Sequence, residues 1–219
     1  MIHNAIYKYC LVVMVLLLTS SVAGVAQNKG RTKEEKKSKM DNLKEYAVIE
    51  TTRGTIEIEF YPADAPKTVE NFVKLAEKKY FDGIIFHRIS KGFVIQGGDP
   101  TGTGSGGKSI WGKEFDDELN PNTPSYKEGY KKGVVAMANR GPNTNTSQFF
   151  IMLRDNTGLP KNYTIFGKVY KGLDVVDAIG QVEITPAMGP NDGKPKVDVV
   201  MKKVTIRREG AQKQKEEKK

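Results

Sequence analysis

Two segments of the chain mix aromatic, amide and cationic side chains without simple periodicity. The first is Phe86-His87-Arg88-Ile89-Ser90-Lys91-Gly92-Phe93-Val94-Ile95-Gln96-Gly97-Gly98-Asp99. The second is Met137-Ala138-Asn139-Arg140-Gly141-Pro142-Asn143-Thr144-Asn145-Thr146-Ser147-Gln148-Phe149-Phe150-Ile151. A guanidinium is always charged and presents several donors in a rigid fork. Set among amides and apolar rings, such a donor can stabilise electron density that develops in a transition state. Taken singly, the same residues have plainer readings: Arg88 as an exposed strand residue, Phe93 and Phe150 as core. Other chemistry is scarce. The single Cys, Cys10, excludes an intramolecular disulfide framework and Cys-based zinc sites. The two His, His3 and His87, leave little for a His-rich metal site.

A third segment, Gly102-Thr103-Gly104-Ser105-Gly106-Gly107-Lys108-Ser109, matches a phosphate-loop pattern letter for letter. That loop works only between a strand and a helix, whose N-terminus and backbone N–H groups face the phosphates. Here Gly97-Gly98-Asp99-Pro100 breaks the strand upstream, and Gly112 interrupts any helix downstream. Nucleotide binding is rejected on that ground.

Short strands and helices must position these segments. Ala47–Thr51 is β-favourable, and Thr55–Phe60 alternates apolar and polar residues, with Arg53-Gly54 as a turn between them. Val69, Phe72, Val73 and Ala76 then fall on one helical face. Asp64 stands to cap that helix, and Pro66 suits its first turn. Further strands fit Ile84–Ile89, Phe93–Gln96, Val134–Ala138, Phe149–Leu153, Ile165–Tyr170 and Val197–Ile206, and a second helix fits Leu173–Ile179. Many short strands and two helices point to a mainly β, closed or nearly closed architecture.

The termini differ from this domain. In residues 1–26, Lys8 precedes the apolar run Cys10–Leu18, and small residues lead to Ala26. That is the plan of a secretory signal peptide. The apolar run is too short to span a bilayer, so cleavage is expected, with an uncleaved membrane anchor as the alternative. Residues 27–45 read as a charged linker, 46–208 as the folded domain, and 209–219 as a charged, disordered tail. The 219-residue chain carries a net charge of +9, but much of the excess lies near the ends. The domain itself is modestly basic and does not call for nucleic acid.

The two chemistry-bearing segments, with Phe166-Gly167-Lys168-Val169, closely resemble the cyclophilin family of peptidyl-prolyl isomerases. The resemblance spans nearly all of 46–208 and is closest to the bacterial, exported type. It implies a closed eight-stranded antiparallel β-barrel capped by two helices. It implies catalysed rotation about X–Pro bonds, with no metal and no cofactor. Arg88 matches the family's catalytic arginine, and Gln96 the glutamine beside it. Phe93 and Phe150 match the aromatic surfaces of the proline pocket, and Leu159 an apolar pocket residue. Ala138 and Asn139 match the strand edge that pairs with the peptide, and Gln148 the amide that orients it. His87 is read as structural.

Three positions depart from the family's common pattern. Val94 stands where many members have Met, and Tyr163 where many have His. Gly158 stands where a Trp often contributes contacts to the cyclic peptide inhibitor cyclosporin, so weak cyclosporin binding is expected. The segment 117–132 looks longer than in compact members. The expected substrates are proline-containing unfolded or extended polypeptides in an exported, periplasmic setting; a eukaryotic secretory lumen would use a similar signal. A proline-peptide-binding chaperone module with little catalysis is the second reading. With no unpartnered apolar stripe in the pattern, a monomer is expected.

Overall fold

The alternating stretch Thr55–Phe60 lies within strand β2 (Gly54–Phe60), with Ile56, Ile58 and Phe60 buried. It forms a hairpin with β1 (Leu43–Thr51), closed at the Thr51–Gly54 pair. The computed structural model describes residues 43–210, of which Lys44–Arg208 form a compact unit. The expectations for the signal-like N-terminus, most of the linker and most of the tail fall outside the described residues. Where composition reads linker at 43–45, the chain is already strand. Its charges are satisfied across the sheet surface, by Lys44–Glu59 at 2.6 Å and Arg208–Glu45 at 2.6 Å.

The remaining strands are β3 (Arg88–Ser90), β4 (Val94–Gly97), β5 (Val134–Met137), β6 (Phe149–Met152), β7 (Ile165–Lys171), β8 (Ile184–Gly189), β9 (Asp192–Pro195) and β10 (Met201–Gly210). They form a sheet of ten strands in the order β10-β1-β2-β7-β5-β6-β4-β3-β9-β8. The lead into β3 joins the lead into β10: Ile85 bridges Val200, and Gly83 N–H donates to Met201 O at 2.8 Å. Met201 N–H in turn donates to Ile84 O at 2.8 Å, and Phe86 N–H to Val199 O at 2.9 Å. Eight strands thereby close into the expected barrel, while β8 and β9 hang from β3 as an additional hairpin. Sequence missed that hairpin because Pro186, Gly189, Gly193 and Pro195 break its pattern and most of β8 is exposed.

Period-two alternation divides the side chains of β4, β5 and β6 between two apolar clusters. Ile95, Ile151, Val135 and Phe149 enter the barrel core. Val94, Phe150, Met152, Val134 and Ala136 enter a smaller cluster on the opposite face of the sheet. Both faces are covered, so these strands read as continuous apolar runs rather than alternating ones.

Three helices are described where two were expected: α1 (Pro66–Glu77), α2 (Pro124–Glu128) and α3 (Leu173–Gly180). Val69, Phe72, Val73 and Ala76 of α1 are buried, as their spacing predicts, and Thr68, Asn71 and Leu75 are buried beside them. Its cap differs from the expectation. Glu118 accepts from Lys67 N–H at 3.0 Å and from Thr68 N–H at 2.9 Å. Asp64 instead accepts from Ser125 N–H, in the first turn of α2, at 2.9 Å. The starts of α1 and α2 are thus each satisfied by a carboxylate outside the helix's own first turn, and segment 117–132 is tied to α1 in the exchange.

Candidate active site

Strand register places the key side chains in one row. Arg88 on β3 faces Gln96 on β4, Gln96 faces Phe150 on β6, and Phe150 faces Ala136 on β5. Residues directly opposite across adjacent strands share a sheet face. This row therefore lies on the outer face of the barrel, over the smaller apolar cluster.

A cavity of about 130 Å³ opens at this row. Arg88 and Gln96 form its polar side, and Phe93, Val94, Phe150 and Leu159 its apolar side. Ala138, Asn139 and Tyr163 complete the lining. Sites for drug-sized ligands run about 300–1,000 Å³, so this volume suits one side chain or small ring. Phe150 and Tyr163 meet edge to face, with centroids 5.6 Å apart at 82°. Tyr130 packs beneath both and fixes the Tyr163 backbone twice: its hydroxyl donates to Tyr163 O and accepts from Tyr163 N–H, each at 3.0 Å. Tyr163 therefore supplies an aromatic wall held from below. Tyr130 is a supporting residue that sequence reasoning did not identify.

Gln148 lies outside this lining and borders an adjoining pocket with Gly104, Gly106 and Thr146. Its Nε2 donates to Gly104 O at 2.9 Å and Gly106 O at 2.8 Å. Its Oε1 accepts from Gln96 Nε2 at 3.0 Å. The buried Gln148 amide is thus spent on the glycine-rich loop and on Gln96, and in this arrangement it orients Gln96.

The glycine-rich loop wraps around a carboxylate. Asp99 accepts backbone N–H bonds from Thr101, Thr103, Gly104 and Gly106 at 2.7–3.2 Å. Burial alone would raise its pKa, but these bonds and the Thr101 hydroxyl lower it to about 2. Several amides a phosphate would need are already occupied, and the loop leads into a turn at Ser109–Gly112 rather than a helix. A side chain at Gly106 would place its Cβ 2.2 Å from Asp99 Oδ1, so the wrap requires glycine there. From α1, the buried Asn71 ties the same region down. It donates to Thr146 O at 2.8 Å and accepts from Ile110 N–H at 2.9 Å.

Arg88 is held at three points. Its Nε donates to Asp192 Oδ1 at 2.9 Å, its Nη2 to Asp192 Oδ2 at 2.6 Å, and its Nη1 to Gln96 Oε1 at 3.0 Å. A bidentate pair of this kind fixes the guanidinium plane as well as its position. Burial pushes the Asp192 carboxyl up, but hydrogen bonds from Arg88 and Ser90 outweigh it and hold the carboxyl below its usual value. A guanidinium has five N–H groups, so two have no partner among the described residues. His87 is buried, and neither ring nitrogen meets a hydrogen-bond partner among the described residues. Burial lowers its pKa, which keeps the ring neutral at pH 7. Among the described residues, no cluster of His, Cys, Asp or Glu could hold a metal ion.

Known proteins share this arrangement of chain. Residues 46–206 match the family model "Cyclophilin type peptidyl-prolyl cis-trans isomerase/CLD". A Neurospora crassa peptidyl-prolyl cis-trans isomerase-like 1 is 46% identical over 161 residues, covering 74% of this chain and 93% of that protein. The Homo sapiens protein of the same name is 49% identical over 144 residues, covering 66% of this chain and 84% of that protein. A crystal structure of a Cryptosporidium parvum cyclophilin type peptidyl-prolyl cis-trans isomerase, in the presence of the dipeptide Ala-Pro, superposes with a TM-score of 0.66 at 36% identity. That match covers 74% of this chain and 98% of the other. A barrel bearing this apolar pocket, a family model that spans the folded unit and relatives of this identity lead to one assignment: the chain belongs to the cyclophilin family of peptidyl-prolyl cis-trans isomerases.

Proposed function

We propose that Arg88 accelerates X–Pro rotation by donating a hydrogen bond to the proline nitrogen as that nitrogen leaves conjugation. Amide resonance sets a rotation barrier of about 18–20 kcal/mol. Uncatalysed X–Pro exchange takes tens to hundreds of seconds. Rotation returns a lone pair to the proline nitrogen, so a donor aimed there binds the twisted state better than either planar state. The pyrrolidine ring sits against Phe93, Val94, Phe150 and Leu159. The extended peptide runs along the backbone of Ala138 and Asn139. The carrying observation is the Arg88 guanidinium, held by Asp192 and Gln96 on the pocket's polar side with two N–H groups uncommitted among the described residues.

The test is exchange spectroscopy on a short X–Pro peptide with the wild type and Arg88→Ala. Loss of an oxyanion-type donor costs about 100- to 1,000-fold in rate, and a loss of that order is expected. A folded Arg88→Ala protein with wild-type exchange would overturn the reading. A folded wild type that binds the peptide without catalysis would favour the chaperone reading instead.

The proposed substrates are proline-containing unfolded or extended polypeptides. The N-terminal sequence supports an exported protein, released to a periplasm by cleavage or retained by its anchor. The relatives named above are eukaryotic proteins, so the similarity supports the cyclophilin family and not a bacterial, exported subtype. Basic side chains interleave with carboxylates, as in Lys168–Glu128 at 2.8 Å and Lys132–Asp177 at 2.8 Å. That surface supports a protein that does not take nucleic acid and works as a monomer.

A further inference from the structure

We propose that Asp192 is a positioning residue for the reaction: it clamps the Arg88 guanidinium from the β8–β9 hairpin and so aims its free N–H groups into the pocket. The inference rests on Arg88 as the donor. It goes beyond that reading by assigning a task to a hairpin outside the eight-stranded ring.

Four observations carry it. First, the contact is bidentate and uses Nε and Nη2, the edge of the fork that leaves Nη1 for Gln96. One edge held by a carboxylate and one terminus held by an amide leave little freedom for the plane to tilt. Second, the pair is well shielded, with side-chain exposures of 26% for Arg88 and 15% for Asp192. Shielding strengthens a pair of good geometry beyond what exposed surface pairs reach. Third, Asp192 is itself fixed. It pairs with Ser90 in the β3–β9 register, so its side chain shares a face with Arg88 two residues along. Asn191 O accepts from Lys91 N–H at 2.8 Å, which seats the hairpin turn on β3. The next residue, Gly193, lies so close to β8 that a Cβ would stand 2.0 Å from Thr185 O. Fourth, Asp192 begins a chain of contacts that reaches the glycine-rich loop. Arg88 donates to Gln96, Gln96 to Gln148, and Gln148 to Gly104 and Gly106.

An arginine side chain has many rotamers, and its ordering costs conformational entropy. If that cost falls in the folded protein rather than on the path to the twisted peptide, it is removed from the barrier. A carboxylate placed behind the guanidinium, away from the reacting nitrogen, does this without touching the substrate.

The experiment uses the full chain with Asp192→Asn, Arg88→Ala and the double variant, assayed by exchange on one X–Pro peptide. Asp192→Asn keeps the shape and one acceptor but loses the charged clamp. The expected result is roughly a ten-fold loss of kcat/KM, carried by kcat with KM nearly unchanged, against the about 100- to 1,000-fold loss for the donor itself. In the Arg88→Ala background, Asp192→Asn should add less than about a two-fold further loss, because the clamp has nothing left to hold. Asp192→Asn at wild-type rate beside a crippled Arg88→Ala overturns this inference and leaves the Arg88 reading intact. An equal loss from Asp192→Asn in both backgrounds also overturns it, since a general packing role does not depend on Arg88. Full activity in Arg88→Ala removes the reading on which it rests. If Asp192→Asn fails to fold, the wild type still decides: the Arg88 Nε–H resonance should exchange slowly with water, and fast exchange rules out the clamp.

Discussion

Gln96 and Arg88 face each other directly across β3 and β4, and Arg88 Nη1 donates to Gln96 Oε1 at 3.0 Å. The other half of the same amide donates to Gln148 Oε1 at 3.0 Å, so both ends of the Gln96 amide are engaged. A hydrogen bond to a charged group is worth about 1.5–3 kcal/mol. Gln96→Ala should therefore lower kcat/KM by roughly ten-fold or more. Exchange spectroscopy on an X–Pro peptide checks it, and an unchanged rate would remove Gln96 from the site.

The Asp99 wrap makes stability depend on acid. The folded carboxyl titrates at about 2, below its ordinary 3.8. A depressed folded-state pKa contributes stability above the unfolded value, and that stability is lost as pH falls toward the folded value. The difference corresponds to about 2 kcal/mol. Urea unfolding of the wild type should thus lose about 2 kcal/mol more between pH 5 and pH 2 than Asp99→Asn does. Parallel pH curves for the two proteins would contradict the assignment.

Glu118 caps α1 from across the fold, accepting from the Lys67 and Thr68 amides and from the Thr68 hydroxyl at 2.8 Å. Removal of a helix N-terminal acceptor typically costs about 1 kcal/mol. Glu118→Ala should lower the stability of the domain by about that much, with isomerase turnover unchanged, since Glu118 does not line the Arg88 cavity. A denaturation midpoint equal to wild type would show that water replaces the cap at no cost.

Gly158 is exposed, and a Cβ built there would meet only Asn156 Oδ1, at an ordinary 3.6 Å. An indole can therefore be added beside Leu159 and the pocket without a clash at its root. Gly158→Trp should tighten cyclosporin binding by roughly ten-fold or more through added apolar contact. Peptide isomerisation should stay near wild type. Calorimetric titration of both proteins checks it, and equal affinities would refute the idea that this position limits the inhibitor.

Much of the barrel was legible because each local pattern agreed with the final packing. The spacing of Val69, Phe72, Val73 and Ala76 sufficed to place α1 and most of its apolar face. The alternation in Thr55–Phe60 sufficed for β2. Arg88, Phe93, Val94, Gln96 and Phe150 could be read as a group because they lie close in sequence or in a second dense segment. The pocket brings them together because antiparallel register aligns Arg88, Gln96 and Phe150.

By itself, then, the sequence determined most of the strands and two of the three described helices, since period and residue type are local properties, and its motifs carried the family and most of the pocket lining by resemblance. Tertiary structure alone decided which carboxylate serves which amide. Asp64 sits where a cap for α1 belongs, yet it bonds Ser125, while Glu118 reaches α1 from 50 residues away. It also decided that the glycine-rich loop encloses Asp99, and that Asp192 grips Arg88 from 104 residues along the chain. Such pairings leave no periodic trace, because they depend on where the closing barrel brings distant backbone, and only the folded chain sets that distance.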